Sequence, residues 1–150
     1  MFQLIPGIST VAQTITLALS PIFMLTAIGQ LLNVLAGRLS RVVDRVRTLE
    51  QLHPQSTGPE HDRHVWELRV LDRRISIINA SLFLAVSSAV LTAVVVVGLF
   101  VATLAKLHVA SAVAIVFILA MTLLIASLIG FMIEVRVSLR AIHVRKDLLG

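Results

Sequence analysis

Residues 75–105 read ISIINASLFLAVSSAVLTAVVVVGLFVATLA, thirty-one positions without an Asp, Glu, Lys or Arg. Lys106 interrupts the pattern, and residues 107–133 then form a second charge-free run of 27. A third run occupies residues 1–37, ending at Arg38. A bilayer core of about 30 Å is crossed by about 20 helical residues. Each run therefore spans once, and none is long enough to span twice with a turn between. Lipid offers the backbone no hydrogen bonds, so helix is the default for such a segment. A barrel needs alternating strands of about ten residues, and no such alternation occurs. The sequence predicts an all-α fold with three transmembrane helices, near 15–36, 78–104 and 110–133, in one membrane domain covering residues 1–150.

Composition agrees. Of 150 residues 57% are hydrophobic and 14% charged, with a mean hydropathy of +0.96. Soluble domains carry about 25% charged residues. These values exclude a disordered chain and an ordinary soluble domain. The chain has no Cys, which removes disulfides and thiolate metal sites.

Orientation follows from the basic residues. Eight Arg fall between the first two runs, at 38, 41, 45, 47, 63, 69, 73 and 74. Arg136, Arg140, Arg145 and Lys146 follow the third run, and only Lys106 lies between the second and third. The positive-inside rule puts the twelve in the cytoplasm against one outside. The expected topology is a multi-pass protein of the cell inner (plasma) membrane, N-terminus outside and C-terminus cytoplasmic. No basic n-region precedes the first run, so it reads as an uncleaved anchor rather than a signal peptide. The net charge of +5 reflects this asymmetry. Without aromatics interleaved in a basic patch it does not indicate nucleic-acid binding.

Beyond Gly37 the first helix is expected to continue into water. Leu39, Val42, Val46 and Leu49 are spaced 3, 4, 3, as are Leu68, Leu71, Ile75 and Ile78. This is the seam pattern of packed amphipathic helices. Between them HPQSTGPE, residues 53–60, carries two Pro and one Gly and reads as a turn. Residues 38–74 are thus predicted to form a cytoplasmic antiparallel helical hairpin continuous with spans one and two, rising about 20 Å. Arg63 and Glu67, four apart, form a candidate pair within its second arm. Ser20-Pro21 predicts either a helix start or a kink. Residues 21–36 cover only about 24 Å, which favours a kink or a half-helix before Pro21.

Two polar features stand out. Thr26, Gln30, Asn33 and Gly37 recur on one face of span one, extended by Arg41 and Asp44. Amides in hydrocarbon seek protein or water rather than lipid, so this face is expected to point into the bundle, toward another subunit or at a pore. In span three Ser127, Gly130, Glu134 and Ser138 share a face, and in span two Ser81, Ser88 and Thr92 form a weaker one. Glu134 ends the last charge-free run, at the same expected depth as Arg38 and the Arg73–Arg74 pair. An ion pair with Arg38, Arg41 or Arg73 is the first expectation for it. An ion-handling carboxylate at a pore mouth is the second. Arg38, Arg41, Asp44, Arg73, Arg74 and Glu134 together form the candidate charge cluster.

No catalytic, metal or cofactor signature emerges. HExxH, GxSxG and glycine-loop motifs do not occur. His61 and His64, with His53 nearby, lie in a polar turn and read as solvated histidines. Ser127 and His143 are about 24 Å apart along one helix, too far to act as nucleophile and base. Asp44 and Glu134 lie among so many Arg that ion pairing, not a division into acid and base, is expected of them. The chain is expected not to be an enzyme.

GRLSRVVDRVRTLE (37–50), LRVLDRRI (68–75) and IEVRVSLRAI (133–142), with a Pro early in span one, resemble the bacterial domain of unknown function 2721 family of small three-helix membrane proteins. The resemblance covers nearly the whole chain. It implies a prokaryotic inner-membrane protein and a fixed three-helix unit. It also marks the Arg/Asp motif and Glu134 as one site, and it carries no biochemical activity.

Three thin helices without an inverted repeat leave little room for a midplane substrate site, so small-solute transport is a minor expectation. Polar faces needing partners predict a homo-oligomer in the lipid bilayer. Passive ion conduction through a path lined by the Thr26/Gln30/Asn33 face is the leading functional expectation. A non-conducting scaffold or accessory subunit, whose hairpin binds a cytoplasmic protein partner, is the alternative. The direction in which that face points discriminates between them.

Overall fold

The computed structural model describes the backbone of residues 6–52, 59–105 and 110–143, and the side chains of residues 10–51, 65–105 and 110–139. The described backbone is helical apart from a single turn residue, Ala105. Helix α1 is Pro6–Leu52, α2 is Pro59–Leu104 and α3 is Ala110–His143. All three are long and apolar enough to cross a membrane, within Thr10–Gln51, Val65–Leu104 and Ala110–Leu139.

Their boundaries follow local chemistry. α1 and α2 have 47 and 46 residues, about 70 Å each at 1.5 Å per residue. Both exceed a bilayer core of about 30 Å, and the surplus includes the charged sequence from Arg38 onward in α1 and before Ile75 in α2. α2 opens on Pro59, whose missing N–H costs nothing at a first helical position. Pro59 and Glu60, expected in the turn, belong to the helix, and residues 53–58 lie outside the described residues. One other expectation needs correction. α1 is already helical from Pro6 and passes through Pro21 as one element, so there is no separate half-helix. Pro21 is buried on the packed side of α1. α3 runs on past the span to His143, which keeps Ser127, Glu134 and His143 on one helix as expected. His53 and Lys106 lie outside the described residues, and the side chains of His61, Arg63 and His64 outside the described side chains.

Burial on each helix recurs every seven residues. On α1 the buried positions include Thr14, Pro21, Ile28, Leu35, Val42 and Leu49. On α2 they are Leu71, Ile78, Ala85 and Thr92, with Ser81, Ser88 and Val95 filling the alternate set. On α3 they are Ala120, Ser127 and Glu134. A 3.5-residue spacing is the seam of helices packed knobs-into-holes. Most seam residues within the spans are small, which lets backbones approach where lipid supplies no hydrophobic drive between helices. The outward side chains are large and apolar, Phe23, Phe83, Ile115 and Ile118 among them. So much exposed apolar surface suits a hydrocarbon solvent.

Two compact units are distinguished. One lies within Met1–Leu31 and Leu84–Ile125. There Thr14 and Thr103 share a hydroxyl hydrogen bond of 2.9 Å, and Ser88 Oγ donates to the Ala120 carbonyl at 2.8 Å. The other lies within Leu32–Phe83 and Ala126–Gly150. There Ser127 Oγ donates to the Ser81 carbonyl at 2.7 Å. Residues late in α1 meet residues early in α2, Arg45 with Glu67, which is antiparallel order. Of the seam predicted for these arms, Val42, Leu49, Leu71 and Ile78 are buried, and Leu39, Val46, Leu68 and Ile75 are half-buried. Glu67 pairs across the arms with Arg45. Every buried side-chain nitrogen and oxygen among the described residues has a hydrogen-bond partner.

Candidate functional site

The second unit is organised around Glu134. The residue sits seven positions after Ser127 on the α3 seam and is fully buried. Arg38 reaches it from α1 and Arg74 from α2. Glu134 Oε2 accepts from Arg38 Nη1. Oε1 accepts from Arg74 Nη2 at 2.9 Å and from Arg74 Nε at 3.3 Å. All three helices are thus tied at one carboxylate. The Arg38 and Arg74 side chains are 27% and 18% exposed, so the cluster is dry at its centre and wet at its edge. The Arg38 guanidinium also lies 5.1 Å from the centroid of the Phe131 ring, a cation–π contact from α3.

Helical phase explains this choice of arginines. Arg74 lies seven residues before Ser81, on the seam, whereas Arg73 is rotated about 100° away and is exposed. Arg38 falls between the buried Leu35 and Val42 and points the same way. Asp44, two residues beyond Val42, is exposed. Of the six residues of the predicted charge cluster, three meet: Arg38, Arg74 and Glu134. Arg41 is exposed at the edge of an adjoining cavity, and Arg73 and Asp44 face outward. The expected partners of Glu134 were Arg38, Arg41 or Arg73; of these only Arg38 bonds it, and the second partner is Arg74.

Beside the cluster lies an open cavity of about 280 Å³, lined by Arg38, Arg41, Val42, Arg45, Leu71, Arg74 and Ser138. Arg45 binds Glu67 Oε1 through Nε at 2.9 Å and Nη2 at 2.8 Å. That pair is substantially exposed and adds little stability. The spacing of residues alone did not reveal this cavity, because its walls come from three helices.

A different outcome holds for Thr26, Gln30 and Asn33. All three are exposed on the outer side of α1. They lie two residues from the buried positions Ile28 or Leu35, which turns them about 200° from the seam. Thr26 Oγ1 makes a long bond of 3.4 Å back to the Ile22 carbonyl. The face does not point into the packing of its own chain, so one of the three directions expected for it is excluded.

Chemically, a carboxylate with both oxygens engaged by guanidinium groups is an anchor. Arginine does not give up its protons in proteins, so neither guanidinium serves as a proton donor to the carboxylate. Removal of Glu134 leaves two guanidinium charges between the helices without their carboxylate.

No curated protein and no solved structure matches the chain significantly. The family model described as Protein of unknown function (DUF2721) matches residues 18–144, a range that contains Arg38, Arg74, Glu134 and the outward amides. The chain belongs to that family.

Proposed function

We propose that this protein is a homo-oligomeric, non-catalytic scaffold of the bacterial inner membrane. In this reading residues 38–74 and the C-terminus are cytoplasmic, as the twelve-to-one distribution of basic residues favours. The observation that carries it is the outward row of Thr26, Gln30 and Asn33 on α1. Gln30 lies about 12 Å and Asn33 about 7.5 Å along the helix from Arg38, inside the apolar zone. Two amides facing lipid are unfavourable, whereas amides facing a second copy hydrogen-bond across the interface. The Arg38–Glu134–Arg74 trio supports the same reading, since it rigidifies the unit that would be repeated.

Ion conduction rests on that same row, which would line a water path if copies ringed an axis. The engaged Glu134 carboxylate does not favour it, because a filter needs oxygens free to meet ions. The test is the double substitution Gln30→Leu and Asn33→Leu. The scaffold reading expects the wild type to run as a defined oligomer in mild detergent. The double variant is expected to fall toward monomer with its helical content unchanged, and neither protein to raise ion flux in liposomes. Wild-type flux that vanishes in the variant would establish conduction instead. A variant of wild-type size would remove the amide row from the interface.

A further inference from the structure

The arginine-lined cavity is built unlike the rest of the protein. Four arginines, Arg38, Arg41, Arg45 and Arg74, line about 280 Å³ together with Ser138, and no carboxylate residue is among the lining residues. Two carboxylates hold three of these cations: Glu134 takes Arg38 and Arg74, and Glu67 takes Arg45. Arg41 forms no ion pair with any carboxylate among the described residues. The four cations and two anions leave a surplus of two positive charges around an open cavity. That surplus favours the entry of an anion.

The location narrows the anion. Arg38 is the first charge after a run of 37 uncharged residues, and Arg74 the last before a run of 31. The cavity therefore sits where hydrocarbon gives way to headgroups. Basic pockets between transmembrane helices at this depth suit lipid headgroups. Guanidinium forks match tetrahedral phosphate oxygens, and a hydroxyl completes such a set. Val42 and Leu71, also in the lining, give the apolar surface that an attached glycerol would cover.

We propose that this cavity is a phosphate-binding site, taking the phosphate of an anionic phospholipid headgroup or a free phosphate, with Arg41 as the cation reserved for it. The site does not depend on self-association. Arg41 belongs to none of the three ion pairs, so Arg41→Gln leaves the helix clamp intact.

The experiment uses the full chain in detergent and native mass spectrometry. Three probes are added separately: phosphatidylglycerol, phosphatidylcholine and inorganic phosphate. Wild type, Arg41→Gln, Ser138→Ala and, as an off-cavity control, the exposed Arg136→Gln are compared. Phosphatidylglycerol is expected to bind wild type and Arg136→Gln alike. Loss of a charge-assisted hydrogen bond should weaken it about tenfold in Arg41→Gln, with a smaller loss in Ser138→Ala. The same Arg41 dependence seen only with inorganic phosphate would support the site and identify a soluble phosphate as its source. The proposal is overturned if no probe binds wild type. It is also overturned if phosphatidylcholine binds as well as phosphatidylglycerol without regard to Arg41, or if Arg136→Gln weakens binding as much as Arg41→Gln.

Discussion

Glu134→Leu is expected to cost more stability than any other single substitution in the spans. The carboxylate is fully buried and is the common acceptor for Arg38 and Arg74. Removing one member of a buried ion cluster leaves uncompensated charge and costs about 3–5 kcal/mol. Here the lower end applies, because both arginines are partly exposed and can extend toward water. Glu134→Gln should lose less, since its amide oxygen still accepts one guanidinium. Arg38→Ala and Arg74→Ala should each lose less again, as the remaining arginine keeps the carboxylate neutralised. A triple variant with Glu134→Leu, Arg38→Met and Arg74→Met is expected to recover most of the loss, because an apolar replacement strands no charge. Thermal unfolding in detergent ranks the series. A Glu134→Leu protein as stable as wild type would show that the trio does not hold the helices together.

The second large effect is expected at Gly130. A Cβ there would collide with Ser81 Oγ and stand 3.5 Å from Ser81 Cβ. α3 therefore approaches α2 at contact distance, with Ser127 donating to the Ser81 carbonyl one turn away. Gly130→Ala forces the Ser81 hydroxyl to turn from its 3.0 Å bond to the Ile77 carbonyl, a loss of about 1 kcal/mol. Gly130→Val adds two methyl groups that no rotation of Ser81 can accommodate, and overpacking of this kind costs about 3 kcal/mol. In a Ser81→Ala background the obstructing oxygen is gone and only ordinary contact remains, so Gly130→Ala should then be nearly neutral. The interaction energy from this double-mutant cycle separates close packing from a general helix effect. An additive pair would mean that the two helices do not meet at these residues.

How far the fold was legible depends on which physical signal each part uses. The three charge-free runs placed the spans directly, since a charge in hydrocarbon is expensive and its absence over 27 residues is hard to explain otherwise. The continuation of α1 and α2 beyond the spans was legible in the 3, 4, 3 spacing through Val42, Leu49, Leu71 and Ile78. The course of α1 at Pro21 was not, because a proline in a packed helix loses one hydrogen bond without ending the element. For the charged site, Glu134 and Arg38 were legible from their depth, but the choice of Arg74 over Arg73 needed helical phase. The seven-residue spacing from Arg74 to Ser81 and Ser88 carries that phase. The same spacing turns Gln30 and Asn33 outward, where polarity alone placed them on a functional face without its direction. The cavity beside Arg41 was beyond reach, since three helices meet there and no single segment records it.

Self-association through the outward face of α1 is the central claim, and cross-linking in the native membrane tests it most directly. The natural chain has no cysteine, so single cysteines report one position at a time. Asn33→Cys and Gln30→Cys are expected to form disulfide-linked dimers under mild oxidation. Ile118→Cys, exposed on the outer side of α3, is expected to remain monomeric at the same expression level. Dimers at Ile118 with none at Asn33 or Gln30 would contradict the account and move the interface from α1 to α3.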